Sequence, residues 1–370
     1  MLFLAKNNKR LFKNAIFAVI LNFLFVLYNT NKKRNVMKKE KAIKLEEFCS
    51  MIGSSKVNKA YALWKEFIDD NRSALKYTLW KPKENVESEH SLCFKKKADL
   101  IRIFELNNYI SSYMEGMDSR ILVLHSSALL PLLLFHSISP TNTIRISGIE
   151  YDDVHFEVPN KVFNSTRPSK IDVALISHKE QAVLYLESKF TEYLLGKSSN
   201  SFSDKYKNMV RKILGDNQPA EENNQFYIRG KLDDIDIVYG EGIKQMIAHF
   251  IGVCKGGTSH NIVDVYIKKG YEVKLGCIVY QFNKEIDKLE RLDAYSKLYK
   301  NMAEKMNELL RDTKRTGNGS ILKECEADNI LHGAPHNFSV IGELLTYQKL
   351  VGENKDKFNT KVLKFYELYK

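Results

Sequence analysis

The chain has 370 residues, 44% hydrophobic and 11% aromatic, so it can build a sizeable core in two or three compact units. Its formal net charge of +12 suggests an anionic partner. No internal repeat, Walker loop, nucleophile elbow or dinucleotide fingerprint is present, so no nucleotide cofactor is expected.

The first 36 residues distort the charge. Lys6, Lys9, Arg10, Lys13, Lys32, Lys33 and Arg34 face no acid there, and without them the net charge is about +5. Ala15 to Tyr28 is an apolar run with basic flanks. At about fourteen residues it is short of the roughly twenty that span a bilayer. The segment reads as a mis-assigned start or a signal anchor, with translation from Met37 favoured and a membrane association disfavoured by that start. Cys49, Cys93, Cys254, Cys277 and Cys325 lack the short spacing of a zinc site and suggest reduced thiols in a cytoplasmic protein.

Residues 37–118 read as a helical accessory region, with helices over Ala60 to Asp69 and Lys97 to Met117. A further helix is expected from about Ser119 to Ser139, apolar nearly all round and kinked at Pro131. Val154 to Glu157 reads as the first core strand, Ile171 to Ile176 as the second and Ala182 to Leu186 as the third. Residues 195–240 read as a polar, irregular insertion placed to touch substrate, with Lys205, Lys207, Arg211 and Lys212 as its basic patch. Gly242 to Ile251 has helical spacing, with Ile243, Ile247, Phe250 and Ile251 on one stripe. Gln245 and His249, four apart, share a face of that helix. Lys274 to Phe282 completes the sheet, and Glu285 to Arg311 reads as a long amphipathic helix. The final fifty residues read as further helices.

The chemistry concentrates at Glu187-Ser188-Lys189. The preceding residues are apolar on both strand faces, as in a covered central strand. Glu187 and Lys189 share one face and Ser188 points to the other. Charge entering a core is costly unless it is paired or metal-bound. Asp172 breaks the neighbouring apolar strand in the same manner. Acid-x-Lys also occurs at Glu272, Asp312 and Glu353, but none of those ends an apolar strand with an acid-bearing strand upstream. Two carboxylates can hold Mg²⁺, and a lysine beside them can position a water and stabilise developing negative charge. Glu157, at a strand end, is a candidate third acid, with Glu150, Asp152 and Asp153 as competitors.

Asp172 followed by Glu187-x-Lys189 resembles the PD-(D/E)XK nuclease superfamily, and the run Tyr185 to Tyr193 is similar to a segment of its bacterial restriction-endonuclease-like members. The likeness covers about residues 119–283. One departure is that Lys170-Ile171, without proline, precede the first acid. The resemblance implies an α/β restriction-endonuclease-like core of order α-β-β-β-α-β, a central mixed sheet flanked by helices, with helical additions at both ends. The implied organisation is residues 37–118 accessory, 119–283 nuclease-like core with an insertion at about 195–240, and 284–370 a C-terminal helical region. It also implies cleavage of DNA with Mg²⁺, or Mn²⁺ in its place. Asp172, Glu187 and the Ser188 carbonyl would bind metal, with Glu157 as a further candidate. Lys189 would assist the attacking water, and Gln245 would orient Lys189 or substrate. A homodimer would suit cleavage of two strands. Two rivals stand beside this expectation: a non-catalytic nucleic-acid- or protein-binding module on the same fold, and a membrane-anchored interaction protein.

Overall fold

The computed structural model describes residues 64–80, 89–106, 110–114, 119–160, 162, 168–195, 207–214, 220–222, 225–227, 229–232, 235–238, 241–255, 262–284, 286–287, 291–315, 331 and 333–368. The chain divides into two compact units. One comprises residues 1–44 and 77–90, of which only the strand ends Tyr77 to Trp80 and Glu89 to His90 are described. The other comprises residues 45–76 and 91–370 and holds everything below.

A six-stranded mixed sheet with helices forms the second unit. β1 (Asp153–Asn160), β2 (Ser169–Ser177) and β3 (Ala182–Lys189) form an antiparallel meander. β4 (Glu272–Val279) pairs parallel to β3 from Glu272↔Ala182 to Val279↔Lys189. β5 (Phe338–Val340) and β6 (Leu345–Thr346) pair parallel with the two ends of β4. β3 is therefore central, and all eight of its residues are buried. A parallel strand pair needs a crossover. Here the crossover carries α2 (Glu241–Cys254), which follows α1 (Leu129–Phe135) upstream of the meander. Apart from the hairpin Ile144–Ile146/Ile149–Tyr151, the elements between β3 and α2 and the short helix Asp264–Lys268 before β4, the order from α1 to β4 is α-β-β-β-α-β.

The packing explains why each element forms. α2 buries Ile243, Met246, Ile247, Phe250 and Ile251, a 3.6-residue stripe. Full burial of side chains of this size contributes roughly 1.5–3 kcal/mol each. α3 (Arg291–Arg315) is capped by Asp287, whose carboxylate accepts from the Arg291 and Leu292 amides at 2.9 and 3.0 Å. Its Asn307 closes the edge of β5: the amide accepts from Val340 N–H and donates to Val340 C=O, both at 2.8 Å. α4 (Tyr347–Glu353) and α5 (Thr360–Phe365) follow β6. Phe190, the residue after β3, stacks on Trp64 at 5.7 Å, and Trp64 stacks on Phe365 at 4.9 Å.

Several expected elements differ. The helix expected over 119–139 begins as a 3-10 turn (Ser119–Leu122) and becomes α-helical only at Leu129. Pro131 lies in the first turn, where its missing N–H has no helical partner to lose, so it helps to start the helix instead of kinking it. The helix expected over Lys97 to Met117 is two, Lys97–Phe104 and Ile110–Met114, because Glu105 turns left-handed at φ 52°. Of the helix expected over Ala60–Asp69 only residues 64–69 are described, and the helix there runs Lys65–Asp70. The insertion contains a helix, Lys207–Leu214, and two hairpins, Ala220–Glu222/Gln225–Tyr227 and Arg229–Leu232/Ile235–Val238. Met209, Val210 and Ile213 supply the apolar stripe that makes this helix pack, and α3 is its partner. The C-terminal stretch adds β5 and β6 to the sheet as well as helices. No described helix is long and apolar enough to cross a membrane, and Ala15 to Tyr28 lies outside the described residues.

Candidate active site

The site forms where β3 leaves the core beneath α2. Lys189 Nζ donates to Glu187 Oε1 at 2.5 Å and to Gln245 Oε1 at 2.6 Å. His249 Nε2 donates to Glu187 Oε2 at 2.7 Å. Strand and helix match here by simple geometry. Residues i and i+2 on a strand lie about 6.7 Å apart, and i and i+4 on a helix rise about 6 Å. Gln245 and His249 can therefore reach Lys189 and Glu187 together. Glu187 and His249 are inaccessible to solvent, and Lys189 is 2% exposed.

Ser188 faces away, as strand alternation requires. Its hydroxyl donates to Ser127 C=O at 2.7 Å and lies 2.8 Å from the Tyr347 hydroxyl. This ties β3 to the entrance of α1 and the start of α4. The Ser188 N–H donates to Asp172 Oδ2 at 2.8 Å. In an extended strand the C=O of a residue points to the same neighbouring strand as its N–H. The Ser188 carbonyl thus faces the gap opened between β2 and β3, whose ladder stops at Val173↔Leu186.

The electrostatics of the two acids diverge. Burial works against the Glu187 carboxylate, but the Lys189 ammonium and His249 outweigh it and hold its pKa down to about 2. Burial likewise opposes charge on Lys189, but Glu187, Glu192 and Asp172 keep it an ammonium. Asp172 is pushed well above the usual carboxylate range, first by burial and then by the Glu187 charge. Two carboxylates thus share one ammonium, and Asp172 is the one left undercompensated.

Glu157 occupies the register position opposite Asp172, between the pairs Phe156↔Val173 and Val158↔Ile171. Its backbone is left-handed, φ 52°, and its carboxylate pairs with Lys170 at 3.2 Å. Its charge adds to the repulsion on Asp172, but no hydrogen bond joins it to the other acids among the described residues. Asp152 and Asp153 engage His178 and His155 instead, and Glu150 accepts from Thr143 at 2.5 Å. Lys205 lies outside the described residues, while Lys207, Arg211 and Lys212 share the Lys207–Leu214 helix. Two residues that the sequence reading assigned no role join the site: His249, and Ser169, whose hydroxyl lies 3.2 Å from His249 Nδ1. Sharing a face with Gln245 was the available signal for His249. Ser169 carried none.

Comparison with known proteins yields nothing. No family model, curated protein or solved structure matches this chain. The site must therefore be interpreted from its own chemistry.

Among the described residues no group of three or more His, Cys, Asp or Glu side chains has the arrangement of a metal cage. A hard divalent cation that keeps most of its water needs only one or two carboxylates. Asp172 and Glu187 form such a pair, with the Ser188 carbonyl directed at the same gap. Burial and then the Glu187 charge hold the Asp172 pKa up against the pull of Lys189, so a further cation beside it would favour the carboxylate. Each Glu187 oxygen already accepts one hydrogen bond, and a carboxylate oxygen has a second lone pair. The donor set suits Mg²⁺ or Mn²⁺.

Proposed function

We propose that this protein is a metal-dependent nuclease with a restriction-endonuclease-like core that hydrolyses phosphodiester bonds in DNA. The observation that carries this reading is the buried Glu187–Lys189 pair at the exit of the central strand, with the undercompensated Asp172 on the adjacent strand. The α-β-β-β-α-β order supports it.

Asp172, Glu187 and the Ser188 carbonyl would hold Mg²⁺, which when bound polarises a phosphodiester and acidifies water. The protein's own groups have separate tasks. Lys189 stays charged, and two of its three donors go to Glu187 and Gln245. Among the described residues no hydrogen bond takes the third, which would position a water or meet charge developing on the phosphate. Gln245 aims that ammonium. Glu187 fixes the other side of it, and Phe190 and Trp64 hold the strand exit in place. Lys207, Arg211 and Lys212 would add phosphate contacts from the insertion, and a homodimer would allow both strands to be cut.

The test incubates the full chain with plasmid, linear and single-stranded DNA in Mg²⁺, in Mn²⁺ and in EDTA, alongside Glu187→Ala and Lys189→Ala. Metal-dependent cutting lost in both variants establishes the activity and its site. Cutting that survives in both places the chemistry elsewhere. One observation favours a second reading, a non-catalytic binding module: both Glu187 oxygens are engaged and the side chain is fully enclosed. Mn²⁺ titration separates the two, since a module of that kind binds no metal at Asp172 and Glu187.

A further inference from the structure

The hydrogen bonds around Glu187 continue beyond the residues that the proposed chemistry uses. His249 is wholly buried and lies between Glu187 Oε2, 2.7 Å from its Nε2, and Ser169 Oγ, 3.2 Å from its Nδ1. A carboxylate oxygen can only accept, so Nε2 carries the proton of that bond. In the neutral ring Nδ1 is then the acceptor, and the Ser169 hydroxyl donates to it. The three groups come from three elements: Ser169 opens β2, His249 lies on α2 and Glu187 ends β3. The turn of α2 after His249 is anchored as well. A Cβ built on Gly252 would lie 3.0 Å from Asn160 Cβ, and Asn160 is the register partner of Ser169.

Both ring nitrogens of His249 are engaged by Glu187 and Ser169, so it has no ring nitrogen left to offer a substrate. Its reach to the metal-side carboxylate is direct. We infer that His249 is a positioning residue for the proposed metal site: its Nε2–H fixes the Glu187 carboxylate, and Ser169 fixes the tautomer that provides this proton. This role rests on the nuclease reading and deepens it. Groups that orient metal ligands in this manner typically change metal affinity or activity 10–100-fold when removed.

The experiment compares His249→Gln with His249→Met in the full chain. The two side chains are similar in length, but only Gln offers an N–H to Glu187 Oε2. Ser169→Ala is the third variant. The readouts are the Mn²⁺ dissociation constant by calorimetry and, without metal, the ¹⁵N signals of the His249 ring, with a thermal melt to confirm folding. The expected result is about 10–100-fold weaker Mn²⁺ binding in His249→Met and recovery to within a few-fold of wild type in His249→Gln. The ring signals of wild type should report a proton on Nε2, and Ser169→Ala should weaken that preference. Equal effects in Gln and Met would reduce His249 to core packing and overturn the inference. Mn²⁺ binding unchanged in all three variants would also overturn it, leaving the nuclease reading intact. Absence of Mn²⁺ binding in wild type would remove the metal reading itself, and this role with it.

Discussion

Replacing Glu187 with Gln tests the electrostatic heart of the site. The substitution keeps the shape but removes the charge that Lys189 and His249 share. Its cost can be worked out in two ways. The wild-type carboxylate is held at a pKa of about 2 against an ordinary 4.5. At about 1.36 kcal/mol per unit that is about 3 kcal/mol of folding stability. Breaking a buried ion pair from one side costs roughly 3–5 kcal/mol by general experience, because the partner charge is stranded. The two figures agree, and Glu187 has no solvent exposure to weaken them. The pH dependence carries the sharper test. Because the folded pKa lies below the unfolded one, this stability is complete above about pH 4.5 and is lost as pH falls through about 2. Urea unfolding of wild type and Glu187→Gln, followed by fluorescence of the buried Trp64, should show a gap of about 3 kcal/mol at pH 7 that narrows steadily below pH 4.5. A gap of the same size at pH 7 and pH 3 would refute the charge argument and make the loss one of packing.

Further outcomes follow from the same structure. Asp172→Asn should stabilise the metal-free protein at neutral pH while abolishing Mn²⁺ binding. The raised Asp172 pKa means the folded state holds more protons than the unfolded one above the ordinary carboxylate range, so wild-type stability falls as pH rises there, and the Asn variant should lose that slope. Unfolding curves from pH 4 to 8 check it. Ser188→Ala should cost about 1–2 kcal/mol in urea unfolding, since it leaves Ser127 C=O and the Tyr347 hydroxyl without this partner. It should leave Mn²⁺ affinity nearly unchanged, because only the main chain of Ser188 faces the metal side. Gly252→Ala should lose about 1 kcal/mol of stability: the 3.0 Å approach to Asn160 Cβ costs roughly 1–3 kcal/mol of overpacking. Better helix propensity returns about 1 kcal/mol of this.

Local pattern was enough to find the strand that carries the site. Ala182 to Leu186 has no polar residue on either face, so Glu187 and Lys189 stand out where the strand ends. Alternation also placed Ser188 on the opposite face, where it bonds to Ser127 and Tyr347. The same locality limits what can be read from such patterns. Phe338 to Val340 is three residues long and has no period to detect, so its place beside β4 depends on Asn307 and on the edge it joins. The helix expected from Ser119 fails over its first ten residues because apolar content alone does not distinguish a buried turn from a helix.

What the sequence determined by itself was therefore the set of charges that had to be reconciled inside the sheet: Asp172, Glu187 and Lys189 on apolar strands, with Gln245 four residues from His249 on one helix. Tertiary structure decided how they are shared. It gave His249 to Glu187, turned Ser169 onto that ring, drew Glu157 away to Lys170 and left Asp172 undercompensated. Hydrogen bonds and Coulomb forces act over distances set by the packing of β2, β3 and α2, and the spacing of residues along the chain does not encode those distances.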